Sequence, residues 1–298
     1  MFTRRSLLLA PVAAAPTPAV AAHRKMTLCL HQTTSLGAGY RKSLEGWAKA
    51  GIRNVELSAG LLEDFLRSDT LDGARKILSD LDLKVVSGAA LAPQLFTNCP
   101  GRAAALETFK RRCERFKALG ADKVYTPSVP PGKVTGEDFK AAPAYIHEFG
   151  EIARQHDLIA MLEFLRDSAL IATMSTSMKL IREAGHPSVR PLLDCYHFWS
   201  GMSKFEDLDL LGAGELAHVH FQDTPNIPRE LLTQTTRVIP GDGVTPLVRI
   251  LSKLAQKDYA GSLSVELFLP EFQQGDPYAV ARQIRVKAEA VMRQAGVL

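Results

Sequence analysis

The sequence predicts a single (β/α)8 barrel over residues 23–298. Three observations carry that prediction. Short apolar runs alternate with longer amphipathic stretches from residue 26 onward, there are eight such runs, and no Pro/Ser-rich linker divides them. Eight strand–helix units in a chain of this length fit a closed parallel barrel. A doubly wound open sheet is the alternative, and no G-x-G-x-x-G follows the first run to support it.

The predicted strands are, in order, Met26–His31, Asn54–Leu57, Leu83–Ser87, Lys123–Thr126, Leu158–Phe164, Val189–Asp194, Ala217–Phe221 and Ser262–Phe268. The stretches between them carry helical spacing. Phe109, Cys113, Phe116 and Leu119 recur at i, i+4, i+7 and i+10 with Lys and Arg on the other face. Ala50-Gly51, Leu119-Gly120, Ala184-Gly185 and Ala260-Gly261 each place a glycine after a helical run and before a strand. A left-handed residue after the helix end favours glycine there. Thr245-Pro246 predicts an N-cap with proline at the first helical position.

Composition removes several function classes. Of 298 residues, 46% are hydrophobic and 23% charged, an ordinary globular balance. Lys and Arg number 36 against 32 Asp and Glu, and the excess is not clustered, so a nucleic-acid partner has no support. Cys29, Cys99, Cys113 and Cys195 form no C-x-x-C pair, which argues against a zinc ribbon or disulfide scaffold. Whether Cys99 and Cys113 pair is left open. No apolar stretch approaches the roughly 20 residues that span a bilayer.

Residues 1–22 (MFTRRSLLLAPVAAAPTPAVAA) have the layout of an export signal: basic start, short apolar middle, small-residue end near Ala19-Val20-Ala21. Arg4-Arg5 followed by Ser6-Leu7-Leu8 resembles the twin-arginine type. The expectation is a periplasmic protein free of the membrane once the signal is removed. Without export, it is cytoplasmic.

Barrel enzymes carry their reactive groups at the C-terminal ends of strands. Strands 5 to 8 are predicted to carry Glu163, Asp194, His220 and Glu266 at or just before their C-terminal ends. Neighbouring strands lie about 4.8 Å apart, so four inward side chains can converge above the barrel mouth. Three carboxylates brought together repel and are costly to desolvate, and a divalent cation offsets both effects. The oxygen-rich set with one imidazole suits one Mn²⁺, Mg²⁺ or Co²⁺ ahead of Zn²⁺. His218 shares the parity of His220 but lies deeper, and reads as a hydrogen-bonded barrel residue. Cys195 has the opposite parity to Asp194 and should face the helix layer.

With those residues in view, the sequence resembles the xylose isomerase-like barrels, specifically the sugar phosphate isomerase/epimerase group. That group includes ketose 3-epimerases, inosose dehydratase and inosose isomerase, with endonuclease-IV type nucleases as distant relatives. The most specific portions are Leu193-Asp194-Cys195-Tyr196-His197-Phe198, His218-Val219-His220-Phe221-Gln222-Asp223, Arg237-Val238-Ile239-Pro240-Gly241-Asp242-Gly243 and Ser264-Val265-Glu266-Leu267-Phe268. The resemblance implies metal ligation by Glu163, Asp194, His220 and Glu266. It implies substrate contacts for His197 and Arg237. His31 and Glu56 end strands 1 and 2, where either substrate contact or internal hydrogen bonding is open. Trp199, Phe96 and Phe268 fit an apolar wall or the core equally well.

Two departures narrow the branch. Thr235-Thr236-Arg237-Val238-Ile239-Pro240 stands where the multi-zinc nucleases have further ligands. Ala169 and Asn226 occupy positions where the ketose 3-epimerases carry a second glutamate and an arginine. The resulting expectation is a metal-dependent isomerase or epimerase acting through an enediolate, with Glu163 and Glu266 as the acid/base pair. The partner is a small keto-sugar or cyclitol, and a homo-oligomer is left open. A dehydratase or lyase, a phosphodiesterase and a non-catalytic sugar-binding barrel are the alternatives.

Overall fold

A computed structural model describes residues 25–298; the predicted export signal lies outside the described residues. Eight parallel strands close into a barrel in chain order, with β8 pairing back onto β1. β1 (Thr27–His31) leads through 3₁₀ turns into α1 (Gly39–Lys49), and β2 (Asn54–Ser58) into α2 (Ala59–Phe65) and α3 (Leu71–Asp80). β3 (Lys84–Ala89) precedes α4 (Arg102–Ala118), β4 (Lys123–Pro127) precedes α5 (Gly136–Arg154), and β5 (Ile159–Glu163) precedes α6 (Met174–Ala184). β6 (Val189–Asp194) runs directly into the short α7 (Cys195–Ser200). β7 (His218–His220) is followed by a long loop and α8 (Leu247–Gln256), and β8 (Ser262–Val265) by α9 (Pro270–Gln273) and α10 (Pro277–Gln294).

The helices lie on the outside of the barrel because their apolar stripes face it. Phe109, Cys113 and Phe116 of α4 are buried as the helical spacing predicts, and Phe109 packs on Phe149 of α5 at 4.7 Å between ring centroids. Each such buried aromatic is worth roughly 1.5–3 kcal/mol of transfer from water. Inside the barrel, Ala89, Tyr125, Met161 and Leu192 form a separate apolar cluster. The interior also holds buried His31, Glu56, His218 and His220, so it is apolar beside β3–β6 and polar beside β1, β2 and β7. No helix among the described residues is long and apolar enough to cross a membrane.

Several boundaries and caps depart from the sequence reading. β3 continues through Gly88 and Ala89, where it pairs with Val124 and Tyr125 of β4. Glycine is poor in strands, but here a Cβ would lie 2.4 Å from the Phe116 ring, so the close approach of α4 demands it. β8 stops at Val265 because Thr34 takes over its pairing. The Thr34 hydroxyl donates to the Val265 carbonyl and accepts from the Leu267 amide, both at 3.0 Å.

Gly51, Gly120 and Gly185 have the expected positive φ, whereas Gly261 does not. Asp258 takes the left-handed conformation after α8 instead, and Gly261 makes room for the Tyr259 ring. Thr245 does not cap α8. The helix begins after Pro246, and the Thr245 hydroxyl bonds Thr224 across the loop. All four cysteines are free thiols, and Cys195 is buried in the layer between barrel and helices as its parity predicts.

Candidate active site

The ends of β5, β6, β7 and β8 bring Glu163, Asp194, His220 and Glu266 together. One ligand atom from each lies within 4.8 Å of the others, and all four side chains are buried. His220 is the hub. Its Nδ1 lies 3.0 Å from Glu163 Oε1 and 3.6 Å from both Asp194 Oδ2 and Glu266 Oε2. Its Nε2 points away, 3.3 Å from Glu56 Oε2. Glu56 also accepts from His218 Nε2 at 3.0 Å, which places His218 in the barrel wall as expected.

Asp194 divides its two oxygens. Oδ1 accepts from the His197 amide at 2.7 Å and so caps α7, while Oδ2 faces the cluster with Gln222 and Arg237. Placing the cap and the cluster on one carboxylate explains why β6 runs into α7 without a loop. Glu266 is held on both sides. Tyr125 donates to its Oε1 at 3.3 Å with His31 Nε2 3.6 Å away, and Arg237 Nη1 bonds its Oε2.

Arg237 is the buried cation among these carboxylates. Its guanidinium lies between the Tyr196 ring at 5.3 Å and the Phe268 ring at 4.6 Å. Nη1 is 3.3 Å from Asp194, and Nη2 contacts His197 Nε2 at 2.8 Å and Gln234 Oε1 at 3.0 Å. His197 therefore sits beside the four-residue cluster rather than in it, and its Nδ1 accepts from the Arg166 amide at 3.2 Å. His31 is also inside, with Nδ1 accepting from the Thr33 amide at 3.1 Å and Nε2 3.1 Å from the Tyr125 hydroxyl. Phe268 thus lines the site, Phe96 belongs to the core against Phe149, and Trp199 lies under Arg229.

The electrostatics follow from burial and pairing. Burial, with Glu266 and Asp194 nearby, raises the Glu163 carboxyl to about 7. Burial also pushes Asp194 and Glu266 upward, but the basic groups around them prevail, Arg237 foremost on Asp194 and His31 with Arg237 on Glu266. Both stay below the usual carboxylate range. For His220 burial acts against charge, yet Glu56, Glu163 and Glu266 hold its pKa well above that of a free imidazole. Burial lowers His197 to about 4.

This donor set fits a divalent cation. Three carboxylate oxygens and one imidazole nitrogen converge, and Glu56 stands ready to accept the Nε2 proton of His220, leaving Nδ1 as the lone-pair donor. Sequence reasoning missed Tyr125 and Gln222. Parity would find Gln222, two residues beyond His220, and the pairing of Tyr125 with Met161 of β5 would place Tyr125 on the face that Glu163 uses.

The xylose isomerase-like TIM barrel family model matches residues 44–289. The chain belongs to that family. An inosose isomerase of Halalkalibacterium halodurans is 30% identical over 256 residues, covering 84% of this chain and 90% of that one. A 3-dehydroshikimate dehydratase of Pseudomonas aeruginosa is 25% identical over 248 residues, 81% of this chain but 38% of the relative. Among solved structures, the IolI protein with a bound zinc atom superposes with a TM-score of 0.83 at 24% identity, over 91% of this chain and 99% of that one. A Methylomonas D-allulose 3-epimerase in complex with D-allulose gives 0.71 at 17% identity, over 91% and 98%. Like these family relatives, the protein is an enzyme.

Proposed function

We propose that the protein is a divalent-metal-dependent isomerase or epimerase that moves a proton beside the carbonyl of a cyclic keto-polyol of the inosose type or of a related keto-sugar. The observation that carries this reading is the convergence of Glu163, Asp194, His220 and Glu266 on one point at the barrel's C-terminal mouth. Mn²⁺, Mg²⁺ or Co²⁺ suits the oxygen-rich set, and the zinc in the IolI structure keeps Zn²⁺ in play. A bound cation supplies Lewis-acid charge for the oxygen that turns negative as the proton leaves.

The chain's own residues do the rest. Glu163 and Glu266 face each other across the cluster as the acid/base pair. Among the described residues only Oε1 of Glu163 takes a hydrogen bond, so its second oxygen is free for a substrate proton. Glu266, whose two oxygens accept from Tyr125 and Arg237, stands on the opposite side. Arg237 presents guanidinium donors beside the cluster for substrate hydroxyl and enediolate oxygens, and His197 holds that guanidinium through Nε2. Burial of the whole set excludes bulk water from the intermediate.

A second reading, loss of a β-hydroxyl to give a dehydratase, draws on the 3-dehydroshikimate dehydratase relatives. The test is the metal-loaded protein incubated with inososes and ketoses in D₂O and followed by NMR. Deuterium entering beside the carbonyl together with an isomerised product supports the proposal. An unsaturated product moves the assignment to the dehydratase, and absence of both across the panel refutes proton-transfer chemistry. We further propose export through residues 1–22.

A further inference from the structure

Glu266 is supported from behind by residues that none of the chemistry above uses. Tyr125 of β4 lies in the barrel interior, almost completely buried, among Ala89, Met161 and Leu192. In this apolar setting its hydroxyl has two polar neighbours, His31 Nε2 at 3.1 Å and Glu266 Oε1 at 3.3 Å. The Thr33 amide donates to His31 Nδ1, so the neutral ring carries its proton on Nε2. Every proton in the series then has a direction. The Thr33 amide donates to His31, His31 donates to Tyr125, and Tyr125 donates to Glu266 Oε1.

We propose that Tyr125 is a positioning residue that occupies Oε1 of Glu266 and thereby confines this carboxylate to binding a cation through Oε2 alone. Oε2 is the oxygen on the cluster side, 3.6 Å from His220 Nδ1, and its other neighbour is the Arg237 guanidinium. A carboxylate with both oxygens free can chelate, and chelation would fill a coordination position that substrate oxygens require. The tyrosine hydroxyl keeps that position open. Strand register makes the arrangement precise: Tyr125 is paired with Met161, two residues before Glu163 on the same inward face.

The inference rests on the metal reading of the site and is tested on the full protein with Co²⁺, whose visible d–d bands lose intensity as coordination number rises. Tyr125→Phe is expected to bind the same equivalent of Co²⁺ as the wild type, at least as tightly, with weaker d–d bands. Its turnover on the substrate found in the D₂O panel is expected to fall ~10–100-fold. Tighter binding with slower turnover separates positioning from general damage, which would lower both. His31→Ala reads the same series if Tyr125→Phe does not fold, and its bands should weaken in the same sense. Unchanged bands in either folded variant overturn the positioning role while leaving the metal site standing. A wild-type protein that takes up no Co²⁺ overturns the metal reading and this inference with it.

Discussion

At the scale of single residues, His220 and Glu163 couple metal binding to pH. The cation needs Nδ1 of His220 unprotonated and Glu163 ionised, while their surroundings favour the proton on both. Glu163 titrates at about 7, so below that pH a proton competes directly with the cation. Metal affinity should therefore rise between pH 5.5 and 8, by up to about tenfold per pH unit for each proton released. Titration calorimetry across that range checks it, and a pH-independent affinity would show that neither group is a ligand. Side-chain replacement separates the roles. His220→Ala should lose the cation. His197→Ala should keep it and lose turnover, because His197 contacts Arg237 and the Arg166 amide rather than the cluster. Glu266→Gln should cost turnover more than metal, since the amide keeps one ligand oxygen but cannot accept the proton. Metal content and turnover measured together on the three variants decide the assignment.

At the scale of elements, the ends of strands do most of the functional placement. Glu163 and Asp194 close β5 and β6, and His220 is paired with Asp194 across β6–β7. Glu266 is displaced one residue beyond β8 by the Thr34 clamp, a contact 231 residues distant in sequence and so invisible to any local pattern. β3 holds a second such dependence. Gly88→Ala would drive a methyl group into the Phe116 ring, and should cost ~1–3 kcal/mol in urea unfolding. Phe116→Leu, destabilising alone through lost volume, should recover part of that loss when combined with Gly88→Ala. Strict additivity would mean the two sites do not touch.

The same elements show how far the sequence was legible. Alternating periodicity located all eight strands, because each apolar run is bounded by polar helix ends. The four cluster residues stood out because an acid or imidazole closing a buried run is unusual. Tyr125 was hidden by the opposite circumstance: in Lys123-Val124-Tyr125-Thr126 an aromatic residue is what a strand ordinarily contains. The engagement of His31 with Tyr125 and Glu266 depends on β1, β4 and β8 meeting inside a closed barrel, and only the closed structure brings them together.

For the whole molecule, a parallel barrel concentrates charge at one end, and the loops after β5, β7 and β8 with α7 cover it. A reporter fused after residue 22 should leave the cytoplasm of a bacterium with a twin-arginine system, and Arg4→Lys with Arg5→Lys should retain it; retention of the unaltered fusion would refute the signal. In the proposed function one cation is held by four strand ends. The most direct measurement is an anomalous difference map from crystals of the protein loaded with Mn²⁺ or Co²⁺. One peak per chain is expected, within bonding distance of Glu163, Asp194, His220 Nδ1 and Glu266, with His197 outside the coordination sphere. A second peak bound by His197, or no peak among the four side chains after full loading, would contradict it.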